Sequence, residues 1–158
     1  MEISKKIWIL LGLISIIFHI FLIFSGLVPN LVSRPLHMAL AIPWVLLYTT
    51  KLEKRNIFDI TLSLLGIFFC FWIAYNNDSI SDQYGFIENN FQLLIIIFLL
   101  FLVLEMARRS VGFPLPFVAF VSLLYAVFGD LIPGEFGHAG IPINSFFGNL
   151  VLAEGGIW

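Results

Sequence analysis

The chain has 158 residues, of which 60% are hydrophobic and 11% charged, with a formal net charge of -2 and a mean hydropathy of +1.02. A polypeptide this apolar cannot cover itself with polar surface in water, and a nucleic-acid partner is not expected; the net charge itself says little about partners. A single cysteine, Cys70, excludes an intrachain disulfide, and its place in an apolar run points to packing.

Residues 7–33, 35–50, 60–77, 89–104 and 110–129 contain no Asp, Glu, Lys or Arg, whereas a soluble domain scatters its charges. The expected fold is therefore all-α: one integral-membrane domain over residues 1–158, a polytopic bundle of about five transmembrane helices. About 20 residues at 1.5 Å each cross a hydrocarbon core about 30 Å thick.

The first predicted span covers 7–28, after Lys5 and Lys6. Its apolar run exceeds that of a signal peptide and no small-x-small cleavage site follows, so it reads as a retained span. The second covers 33–50, where Ser33 followed by Pro35 suits a helix start and Pro43 should kink the interior. The third covers 57–75, with Asn56 and Asp59 spaced as a capping box. The fourth covers 89–107, capped by Asn89 or Asn90, and the fifth covers 113–129. Beyond Gly129, the run Pro133, Gly134, Gly137, Gly140 and Pro142 breaks helix. The remaining stretch, 143–158, spaces Phe146, Phe147, Leu150 and Val151 as an amphipathic helix too short to span, expected in the membrane interface or against a partner.

Seven of the eight basic residues fall on one side of this topology: Lys5, Lys6, Lys51, Lys54, Arg55, Arg108 and Arg109. The other side holds Arg34 with Asp78, Asp82, Glu88, Asp130 and Glu135. The positive-inside rule then places the N-terminus in the cytoplasm of a multi-pass inner-membrane protein.

Chemical motifs are sparse. No phosphate loop, zinc spacing or Ser/His/Asp set is present, so no catalytic, cofactor or metal residues are assigned and no enzyme is expected. His19 falls mid-span in the first helix, an intramembrane polar site for which a proton relay and a neutral histidine bonded between helices both fit. Arg34 and His37, one helical turn apart at the outer end of the second span, read as anchors or subunit-docking residues. Glu105 precedes Arg108 and Arg109 at i+3 and i+4, so a local ion pair reduces the cost of a carboxylate near the boundary. Topological anchoring and docking of another membrane subunit are both open for this trio.

The run LEMARRSVGFPLPFVAFVSLLYAVFGDLIPGEFGHAGIPINSFFGNLVLAEGGIW, residues 104–158, resembles the N-terminal region of fused permeases of TRAP transporters of the TAXI type. The likeness is carried by Leu104, Glu105, Arg108, Arg109 and Gly112; Tyr125, Ala126, Phe128 and Gly129; Pro133 and Gly134; His138 and Gly140; and Gly156 and Ile157. Arg34 and His37 fit as well, extending it over about residues 30–158.

The resemblance implies a small scaffold portion of a permease for sodium-driven uptake of organic acids. Its partners would be a large permease subunit or domain, a periplasmic TAXI-type binding protein and membrane lipid. In that family the large portion carries the substrate and sodium sites, and it would begin where this sequence stops at Trp158. A separate subunit, a split product and a piece of a longer permease all fit. Two other readings are an integral-membrane enzyme using His37, Glu105 or His138 at the interface, and a small self-sufficient carrier.

Overall fold

A computed structural model describes residues 2–48 and 56–158. Lys51, Lys54 and Arg55, part of the basic count above, lie outside the described residues, as does the end of the second predicted span. The described chain is helical without strands: α1 (Glu2–Ser25), α2 (Asn30–Pro43, prolonged by a π-helical turn Trp44–Tyr48), α3 (Ile57–Tyr75), α4 (Asn77–Asp82), α5 (Asn90–Val111), α6 (Pro114–Phe128, prolonged by a 3-10 turn Gly129–Leu131) and α7 (Ile143–Val151). Five of these, over Lys5–Ser25, Asn30–Tyr48, Ile57–Tyr75, Asn90–Val111 and Pro114–Leu131, are long and apolar enough to cross a membrane.

Several helix boundaries differ from expectation for local reasons. α1 ends at Ser25 rather than residue 28, because Gly26 takes a left-handed φ of 58° and Pro29 follows. α2 starts at Asn30, not Ser33, so Pro35 lies inside the helix and not at its first turn. Pro43 acts as expected on the interior: lacking an N–H, it breaks the hydrogen-bond ladder, and the helix widens into the π turn directly after it. Asn56 is the N-cap of α3 but makes no side-chain cap bond, so the capping box with Asp59 is absent. Asn89 does cap α5, its Oδ1 accepting from the Gln92 N–H at 2.9 Å.

The core lies between α2, α3 and α5, where Ile42, Leu46, Leu62, Cys70, Ile73, Ile95, Ile96, Leu99 and Leu102 are buried. Gly66 is the point of closest approach. A Cβ there would fall 2.6 Å from Leu102 Cδ2 and 3.0 Å from Ile42 Cδ1, so the missing side chain admits both neighbours at once. α1 flanks this trio against α2 and α6 flanks it against α5. The apolar stretch of α1 has no buried residue, and that of α6 is only 11% buried.

Successive long helices alternate in direction. Trp8 packs on Trp44 and Tyr48, while Phe69 packs on Phe91 and Phe98. One end of the bundle therefore carries Lys5, Lys6, Asp59, Glu105, Arg108 and Arg109, and the other carries Arg34, Asp78, Asp82, Glu88, Asp130 and Glu135. The second end is closed by a cap of α4, the turn after it and α7. Within the cap, Ile80, Val151 and Leu152 are fully buried with Leu31. Phe146, Phe147, Leu150 and Val151 lie on a helix as their spacing predicts, and α7 packs on its own chain, across α5. A Cβ on Gly148 would fall 1.9 Å from the Gly85 carbonyl oxygen, so α7 sits directly on the α4–α5 turn.

Candidate functional site

Polar chemistry concentrates at the two ends of the bundle. At the first, the last turn of α5 sets Glu105 beside both arginines. Arg108 donates from Nε to Glu105 Oε2 (2.7 Å) and from Nη2 to Oε1 (2.8 Å), and Arg109 Nε donates to Oε1 at 2.7 Å. These are the i+3 and i+4 pairs expected from the sequence. The unforeseen member is Asp59, whose Oδ1 accepts from Arg109 Nη2 at 2.6 Å and so bridges α3 to α5. The Asp59 side chain is 8% exposed and that of Arg109 17%, against 51% for Arg108.

Two carboxylates and two guanidiniums cancel, and every link but the outer Arg108 bond is partly sheltered, so electrostatics close this end as an internal clasp. Arg108 is the member left facing outward. A signal for Asp59 did exist. It is the first position of the stripe Asp59, Leu62, Ser63, Gly66, Phe69, Cys70 and Ile73, all buried, and a lone acid on a buried stripe requires a cation.

At the capped end, Arg34 Nη1 donates to the backbone oxygens of Glu154 (2.8 Å) and Trp158 (3.0 Å). Asn30 Nδ2 donates to Glu154 Oε2 at 3.1 Å, and Trp158 Nε1 donates to the Val151 carbonyl at 2.5 Å. Arg34 therefore ties α2 to residues 154–158 of its own chain. One turn along α2, His37 Nδ1 lies 2.5 Å from His19 Nε2 on α1, while His19 Nδ1 lies 2.6 Å from the Ser15 carbonyl oxygen. His37, Arg34 and Ser33 line one side of a cavity of about 610 Å³, completed by the apolar Leu22, Met38, Ala41 and Ile157 with Trp158.

Beyond the spans, His138 folds the α6–α7 connection onto α6. Its Nδ1 lies 2.7 Å from the Ala139 carbonyl oxygen and its Nε2 3.1 Å from that of Tyr125, while the Tyr125 hydroxyl donates to the Phe136 carbonyl at 2.8 Å. Carbonyl oxygens only accept, so both ring nitrogens donate and the charged imidazolium is favoured. The Ala139 carbonyl, then that of Tyr125, and the Asp130 carboxylate more weakly, hold the His138 pKa above the usual histidine value.

The structure does not bring the sequence-derived candidates into one centre. Arg34 and His37 share a wall with the tail, His19 meets His37, and Glu105, Arg108 and Arg109 lie at the opposite end. His138 makes its contacts on α6. Among the described residues no three His, Cys, Asp or Glu side chains are grouped to hold a metal ion. No protein-family model matches the chain, and no curated protein and no solved structure matches it.

Proposed function

We propose that this chain is a multi-pass component of the cytoplasmic membrane, with its N-terminus inside, that serves as the small scaffold portion of a TAXI-type TRAP permease for sodium-driven uptake of organic acids. The observation that carries the scaffold reading is the separation of polar and apolar parts. The α2–α3–α5 core is filled by aliphatic and aromatic side chains, while Asp59, Glu105, Arg108 and Arg109 are tied to one another, and Arg34 to residues 154 and 158, near the helix ends. A site that carries an ion or an acid across a membrane needs interrupted helices and ionisable groups near the midplane. The π turn after Pro43 and the His19–His37 pair come nearest to those features, and among the described residues no acidic side chain joins them, so the packed centre supports bracing.

Two further features support the placement. The clasped end gathers Lys5, Lys6, Arg108 and Arg109, the distribution favoured on a cytoplasmic face. The outward faces of α1 and α6, including Ile17, Phe21, Ile23, Phe117, Val118 and Phe120, are exposed and suit lipid or a hydrophobic partner.

The test is capture of the tagged chain in mild detergent after co-expression with a TAXI-type large permease subunit and binding protein. Co-elution with the large subunit is expected, together with sodium-dependent uptake of an organic acid in vesicles holding the full set and no flux with this chain alone. Absence of co-elution, or flux carried by the chain unaided, would overturn the reading.

A further inference from the structure

The geometry points to a phospholipid site in the cavity between α1, α2 and the tail, with the lipid phosphate on Arg34 and one acyl chain lying along α2. Arg34 has donors to spare. Its Nη1 is spent on the backbone oxygens of Glu154 and Trp158, while Nε and Nη2 make no hydrogen bond among the described residues. That leaves intact the Nε–Nη2 edge, the planar fork that matches two oxygens of a phosphate. No acidic side chain occupies it. Glu154 meets Arg34 through its backbone oxygen, its carboxylate accepts from Asn30, and it lines a separate cavity of about 330 Å³ beside the cap. On the same wall, the Ser33 hydroxyl and His37 Nε2 also bond to nothing among the described residues, since His37 uses Nδ1 on His19.

Depth favours a lipid over a soluble anion. Asn30–Tyr48 is 19 residues long, about 28 Å, so Arg34 lies about 7.5 Å from the middle of the span, on the capped side. Helix side chains tilt toward the N-terminus, which for α2 is the capped end, and the tail oxygens hold the guanidinium the same way. A cation so placed reaches the headgroup layer. Toward the midplane, Met38 and Ala41 continue its stripe at i+4 and i+7, and Leu22 contributes from α1. The wall thus passes from cation to hydrocarbon in the direction a lipid passes from phosphate to chain. The volume, about 610 Å³, lies in the range of small-molecule sites, about 300–1,000 Å³, and takes a headgroup with the upper part of one chain. Free phosphate would leave the apolar half unfilled.

The test is native mass spectrometry of the full chain, purified in mild detergent, stripped of lipid and titrated with dioleoyl phosphatidylethanolamine. One tightly held lipid per chain is expected, undiminished by excess inorganic phosphate and by Lys6→Gln, which removes a positive charge at the other end of the bundle. Arg34→Gln should weaken binding about tenfold or more through loss of the fork. Because that change also frees the tail, Ala41→Phe serves as a second variant: it fills the apolar half, leaves Arg34 in place and should weaken binding as much. In the wild-type chain, a diazirine carried on the acyl chain of the retained lipid should label Met38 or Ala41 on photolysis. Equal lipid binding by all four chains would mean an annular shell only and would overturn the site, as would weakening in just one of the two cavity variants. Displacement by inorganic phosphate, or photolabel confined to the outward faces of α1 and α6, would overturn it too.

Discussion

Removing Arg109 should cost far more than removing Asp59, although the two share one 2.6 Å bond. The asymmetry follows from what each substitution strands. Arg109→Ala leaves the Asp59 carboxylate, 8% exposed, without its cation in the first turn of α3, while Glu105 keeps Arg108. Breaking a buried pair from one side costs about 3–5 kcal/mol, and the partial exposure of this one argues for the lower limit, about 3 kcal/mol. Asp59→Ala leaves Arg109 bonded to Glu105 at 2.7 Å, so the loss is one charge-assisted hydrogen bond, about 1.5–2 kcal/mol. The double variant strands no charge and should be no worse than Arg109→Ala alone, a coupling of at least about 1.5–2 kcal/mol. Unfolding in mixed micelles against the mole fraction of a denaturing detergent, followed by circular dichroism, measures all three. Equal single-variant costs, or strict additivity in the double variant, would refute the claim that α3 and α5 are tied through a sheltered ion pair.

Two other perturbations test separate parts of the structure. The Ser63 hydroxyl is buried with no hydrogen-bond partner among the described residues, so Ser63→Ala should raise stability by about 1 kcal/mol in the same assay, and a loss would mean the hydroxyl is satisfied. His138 has a raised pKa in the folded chain, so its contribution to the 129–140 connection is complete below the ordinary imidazole value and fades as pH rises through the folded value. Amide exchange there, corrected for intrinsic chemistry, should accelerate as pH rises through that folded value in the natural chain and be flat with pH in His138→Gln.

Much of the architecture was legible because hydropathy acts over long stretches. The third span was located to the residue at 57–75, since Asn56 and the pair Asn76 and Asn77 interrupt the apolar run at both sides. The i+3 and i+4 pairing of Glu105 with its arginines was equally readable, because both partners lie on one helix. Asp59 and Arg34 were harder. Each finds its partner across a long stretch of chain, Arg109 for the first and the tail oxygens of Glu154 and Trp158 for the second, and single-helix periodicity carries no information about such pairs. Asp59 was also misassigned by a local rule, because Asn–x–x–Asp resembles a capping box while packing turns that carboxylate inward.

The histidine pair shows how a small boundary error hides a contact. With a first span ending at residue 28 and a second beginning at 33, His19 lies nine residues from its helix end and His37 four from its start, about 14 Å and 6 Å at 1.5 Å per residue. Rings at those depths do not meet, and each reads as an isolated polar group. The real helices stop at Ser25 and start at Asn30. His19 is then six residues, about 9 Å, from one end and His37 seven residues, about 10 Å, from the other, and antiparallel packing brings the rings together. The decisive residues are Gly26 and Pro29. Glycine past the last helical turn and proline shortly after form a stop signal that an average over an apolar window passes through, since Leu27 and Val28 keep that average high. In a chain built from apolar rods, the turn chemistry between rods sets the depth of every polar group, and depth decides which of those groups can act together.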